Sequence, residues 1–108
     1  MPSRVRVAAY QGPEPAGPAA ALAAIEDVAR EAAERGARVL CLPECYLTGY
    51  FTDADAARPH AIALDSERFR RVLAKLSALP TSLVVGFVEA AGGALFNSAA
   101  VISQGPLP

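Results

Sequence analysis

Cysteine occurs twice in these 108 residues, histidine once, lysine once and tryptophan never. Cys41 and Cys45 stand four apart around Pro43, a spacing poorly suited to a mutual disulfide. A zinc site needs more ligands than two thiols and His60 supply, so no metal is expected. His60 has no nucleophile or carboxylate beside it in sequence, and no chemical role is assigned to it. A surplus of one charge is also lacking. Ten basic residues face eleven acidic ones, for a net charge of −1. That balance gives no electrostatic case for nucleic acid or an anionic membrane as a partner. No apolar run approaches the roughly 20 residues that cross a bilayer. Arg4 and Arg6 interrupt what would be the apolar core of a signal peptide, so the expected location is the cytoplasm.

What is abundant is apolar residues, at 53% and with much alanine among them. The length allows one domain at most. A chain of this size buries roughly two-thirds of the surface its unfolded form exposes.

In chain order, Arg4 to Tyr10 alternates, with Val5, Val7 and Ala9 on one face, and reads as a first strand. Gly12 to Pro18 is a stiff loop rich in glycine and proline. Pro18 suits the first turn of a helix that runs to about Arg35, with Leu22, Ile25, Ala29 and Ala32 as its apolar stripe. Glu26 with Arg30, and Glu31 with Arg35, are spaced as ion pairs on the wet face. Gly36 is placed to cap the end. Val39 to Leu42 is a continuous apolar run, as expected of a strand covered on both faces, with Cys41 packed as a small apolar residue. Strand, helix, strand is a βαβ unit, so the first two strands should be parallel. Asp65 or Ser66 can cap a second helix with Phe69, Val72, Leu73 and Leu76 inward, stopped by Pro80. Leu83 to Glu89 reads as a third strand, Gly92-Gly93 as a hairpin turn and Ala94 to Ser103 as a fourth strand.

Chemistry concentrates after the second strand. Pro43 removes a backbone donor and ends regular pairing, and Glu44 follows at once. Loops at the carboxyl ends of strands in open α/β sheets are where ligands meet the protein. Partial burial there would tune a carboxyl toward the working pH of a general base. Cys45 is next to it, with no positive partner in sequence to favour a thiolate. Gln11, at the end of the first strand, should reach the same edge of the sheet.

Leu40-Cys41-Leu42-Pro43-Glu44 with Leu47-Thr48-Gly49-Tyr50 resembles the first catalytic motif of the nitrilase, or carbon–nitrogen hydrolase, superfamily. Leu95-Phe96-Asn97-Ser98 followed by an apolar strand resembles a second family segment. The resemblance implies an α/β fold, the N-terminal portion of an α-β-β-α sandwich in β-α-β-α-β-β order. It implies a cofactor-free hydrolase acting on a small-molecule amide or nitrile through a Glu-Lys-Cys triad, in a homo-oligomer. Glu44 matches the triad glutamate. Gln11 matches a structural glutamine, Asn97 is implied as a residue orienting the carboxylate, and Tyr50 is a candidate substrate contact. Lys75 and the two cysteines do not match the other triad positions, so residues 1–108 are expected to be a partial domain that stops before those motifs and is inactive alone. A non-catalytic remnant or interaction module of the same partial fold is the alternative reading.

Overall fold

Proline and glycine set the ends of the first long helix. The computed structural model describes residues 4–103, and in it α1 (Pro18–Glu34) begins at Pro18, whose missing N–H has no helical acceptor to lose. Gly36, at a φ of 81°, stands just past the helix and donates to the Ala33 carbonyl at 2.9 Å. The buried stripe is Ala21, Ile25, Ala29 and Ala32, with Leu22 at its border. Glu31 and Arg35 pair at 2.9 Å on the wet face, whereas Glu26 and Arg30 form no ion pair.

β1 (Val7–Ala9) and β2 (Val39–Cys41) pair in parallel, Val7 opposite Val39 and Ala9 opposite Cys41. β3 (Ser82–Ala91) lies parallel to β2, and β4 (Ala94–Ile102) returns antiparallel to β3. The sheet order is β1-β2-β3-β4, so each strand lies beside its neighbour in sequence. Gly92 and Gly93, at φ of 57° and 80°, make the hairpin turn that joins β3 to β4. Between β2 and β3 come the short α2 (Ala54–Ala57), a 3₁₀ turn at Arg58–His60, and α3 (Glu67–Ser77). Asp53 caps α2. Ser66, rather than Asp65, caps α3 by accepting from the Phe69 N–H at 3.1 Å.

Leu40, Leu83, Val85, Phe87 and Ile102 share one face of the sheet and form a single core with Ile25 of α1 and Leu76 of α3. Both long helices therefore cover the same face. Alternation puts the neighbours of those residues on the other side. Val7, Ala9, Cys41, Ala99 and Val101 are exposed there. This settles a point that alternation leaves open and corrects one expectation. The Val5, Val7, Ala9 face of the first strand is the outward one, and Ala8 and Tyr10 meet the core instead. Cys41 does not pack, because β2 is covered on the Leu40 side alone among the described residues. No helix among the described residues is long and apolar enough to cross a membrane.

Candidate active site

β2 is three residues long and β3 is ten, so most of the β3 edge needs other partners. The loop after β2 supplies them. Leu42 N–H donates to the Val84 carbonyl at 3.0 Å, and Pro43, with no N–H, ends the ladder. The chain turns, closed by Tyr46 N–H on the Pro43 carbonyl at 3.2 Å, with Cys45 at a φ of 54°. It then runs on along β3. Leu47 N–H donates to the Gly86 carbonyl at 3.1 Å, and the Thr48 hydroxyl accepts from Val88 N–H at 2.9 Å. Ile62 completes the edge, donating to Val88 O and accepting from Ala90 N–H. Glu44 thus sits in a loop fastened to β3 at both ends.

Gly86 makes that fastening possible. A Cβ built there would lie 2.6 Å from Cys45 N, 3.0 Å from Pro43 O and 3.2 Å from the Glu44 carbonyl carbon. The loop backbone lies directly over the strand, where only hydrogen fits. A glycine inside a strand pattern is the sequence signal for such an approach, and Gly86 stands within the Leu83–Glu89 run.

Register brings in the next residue. Asn97 stands opposite Val88 across the hairpin, on the side where the loop lies. Its Nδ2 donates to Glu44 Oε1. Its Oδ1 accepts from the Cys45 thiol at 3.7 Å. Three residues from two segments some fifty positions apart thus form one chain of hydrogen bonds. The partial burial expected of Glu44 is not found: the residue is exposed, and the Asn97 amide is what fixes its carboxylate. Cys45 is buried, and that burial pushes its thiol pKa up, with the Glu44 charge pushing the same way. Tyr46, in edge-to-face contact with Tyr10 at 6.0 Å, is also raised, first by burial and then by Tyr10.

Glu44, Cys45 and Asn97 open onto a pocket of about 280 Å³. Its apolar walls are Phe51, Ala57, Val88, Leu95 and Phe96. Phe51 stacks on His60 at 4.9 Å, a contact that sequence spacing did not suggest. Tyr50 lies on the pocket rim, its side chain largely in solvent and its N–H on Glu14 Oε1 at 3.1 Å. Gln11 follows β1 at the same end of the sheet but is exposed and makes no hydrogen bond among the described residues. Thr48, which lay inside the recognised motif without an assigned part, anchors the loop.

The fold and the loop define a class. The carbon-nitrogen hydrolase family model matches residues 6–107, and the chain belongs to that family. A Pseudomonas protegens protein described as a hydrolase in the pqqF 5′ region is 34% identical over 100 residues. The match takes in 91% of this chain and 34% of that protein, so the chain spans about a third of the relative's length. Among solved structures, the glutamine-dependent NAD(+) synthetase of Cytophaga hutchinsonii superposes with a TM-score of 0.66 at 21% identity, over 94% of this chain and 17% of that one. The glutamine-dependent NAD+ synthetase of Acinetobacter baumannii, in complex with ADP, gives 0.66 at 24% identity, over 89% and 18%. These two establish the fold: a mixed α/β unit with one four-stranded sheet.

Proposed function

We propose that this segment supplies the general base and part of the substrate pocket of a hydrolase that cleaves non-peptide carbon–nitrogen bonds. The substrate is a small-molecule amide or nitrile, and the triad is Glu-Lys-Cys, with Glu44 as the member carried here. Glu44 takes the proton of the nucleophilic thiol. The thiolate adds to the amide carbon, Glu44 passes the proton to the departing nitrogen, and ammonia or an amine leaves as a thioester forms. Glu44, ionised again, takes a proton from the water that attacks the thioester and hands it to the departing sulfur, which releases the acid and restores the thiol. The lysine stabilises the negative charge that develops on the substrate oxygen or nitrogen. Lys75 is on α3 and does not fit that place, so the lysine and the nucleophile belong to the family's later motifs. The same reading needs no cofactor, nucleic acid or membrane, and it expects a cytoplasmic homo-oligomer.

The observation that carries this reading is the Asn97 amide on the Glu44 carboxylate at the pocket wall. A base must be held within reach of the proton it takes, and a loop residue in solvent is not held without such a partner. Asn97 is therefore read as orienting the base and Tyr50 as a contact at the pocket rim, while Gln11, exposed and without a hydrogen bond among the described residues, is given no part. The test is Glu44→Gln in a polypeptide that also carries the lysine and cysteine motifs. It is assayed on primary amides, nitriles and N-carbamoyl compounds, with glutamine included because both structural neighbours are named as glutamine-dependent. Glutamine at position 44 keeps the shape but cannot take the proton, and turnover should fall by roughly 10²–10⁴. Near-wild-type turnover with an unchanged circular dichroism spectrum excludes Glu44 as the base.

A further inference from the structure

Cys45 has no step in the triad chemistry, yet its placement is costly. It holds a φ of 54°, a region where non-glycine residues are uncommon, while the turns at Gly36, Gly49, Gly92 and Gly93 all use glycine for positive φ. The thiol is buried and faces the amide that holds Glu44. Backbone strain of this kind concentrates where a side chain is needed in a particular place.

We propose that Cys45 is a positioning residue whose S–H locks the Asn97 amide in the orientation that presents Nδ2 to Glu44. The logic follows from donor and acceptor capacity. An ionised carboxylate can only accept, so Asn97 must offer Glu44 its nitrogen. The amide oxygen then faces the other way and needs a donor. Cys45 Sγ, 3.7 Å from Oδ1, is the donor there. Raising the thiol pKa keeps the proton on sulfur, which is the state this role requires. Without the S–H, the Glu44 carboxylate alone holds the amide. Asn97, exposed to solvent, then leaves that orientation more often and spends more time as a free amide. The role rests on the proposed base only for its effect on turnover; the hydrogen bonds themselves are testable without any activity.

Asn97 is the chain's one asparagine. Labelling the 108-residue chain with ¹⁵N-asparagine therefore gives a single side-chain NH₂ pair in a proton–nitrogen correlation spectrum. The wild type should show two well-separated amide protons, one shifted by Glu44, and the separation should shrink in Glu44→Gln. Cys45→Ser, which keeps a donor, should retain the wild-type pair. Cys45→Ala should move it toward the positions of a free amide. Cys45→Gly gives a second version of the same test with the backbone strain removed, so a poorly folded alanine variant does not decide the matter. An unchanged NH₂ pair in the folded alanine or glycine variant overturns the proposal. A second measurement leaves Cys45 in place. In a Cys41→Ala background, the Raman S–H stretch of Cys45 should move to the free-thiol position on Asn97→Ala, and an unmoved band again overturns it. In a triad-bearing polypeptide, Cys45→Ala should lower kcat by about 2- to 12-fold, the value of one ordinary hydrogen bond, with KM unchanged and Cys45→Ser restoring the rate. If the NH₂ pair responds as described and kcat does not, the hydrogen bonds stand and the assignment of Glu44 as the base fails.

Discussion

Replacing Gly86 with alanine adds one methyl group, and the direction of its effect depends on what lies above the strand. Gly86 is not at positive φ, so its backbone accepts a side chain without strain. If the space were open, Gly86→Ala would stabilise the protein by about 0.4–1 kcal/mol, through the smaller entropy of the unfolded chain. The space is not open. The new Cβ would lie 2.6 Å from Cys45 N, and ordinary contact begins at 3.4 Å, so the loop must retreat by about 0.8 Å. All three nearest atoms are backbone and cannot rotate away. Retreat is opposed by the hydrogen bonds from Leu42 N–H to Val84 O and from Leu47 N–H to Gly86 O, which straddle the contact. Overpacking of this kind costs about 1–3 kcal/mol, and a hydrogen bond stretched until it fails adds about 1. Against a total of about 5–15 kcal/mol for an ordinary domain, the loss is readily measured. Urea unfolding followed by circular dichroism should show a lower midpoint at an unchanged slope. In a polypeptide with the full triad, a base displaced by nearly 1 Å should lose turnover by about 10²-fold even where the fold survives. A Gly86→Ala variant as stable as the wild type, or more so, refutes the close approach of loop and strand, and with it this account of how Glu44 is held.

Thr48→Val removes the hydroxyl that accepts from the buried Val88 N–H, leaving an unpaired donor, and should cost about 1–3 kcal/mol in the same urea titration. Cys45 and Tyr46 keep their protons longer in the folded chain than in the unfolded one. Their contribution is therefore complete below the ordinary thiol value of 9.0 and is lost as pH rises through the folded pKa values, so the urea midpoint should fall in alkali above about pH 9 and stay level between pH 7 and 8. Val7→Lys with Val101→Lys should lower the binding of a hydrophobic dye and reduce association on size-exclusion chromatography, with little change in the urea midpoint, because both side chains stand mostly in solvent on the uncovered sheet face.

Local signals in the sequence determined the ends and order of the elements. Pro18 and Gly36 bracket α1, Ser66 and Pro80 bracket α3, and Gly92-Gly93 turns the hairpin, because each acts through its own backbone and needs no distant partner. The Pro-Glu step after an apolar strand was legible for the same reason. Periodicity also gave the core stripes of both helices to within one residue, with Ala21 taking the place read for Leu22. What it left open was which side of each strand faces the core. Alternation in β1 is symmetric between Val5-Val7-Ala9 and Ala8-Tyr10, and the helices settled it by covering the Leu40 face of the sheet. The site was decided later still. Asn97 reaches Glu44 because β4 pairs with β3 in the register that sets Asn97 opposite Val88, and Gly86 matters because the loop crosses β3 at that residue. Both are contacts between segments more than forty residues apart. A local pattern records each segment's own preference and not the register in which two segments meet, and a shift of one residue would have turned Asn97 to the opposite face.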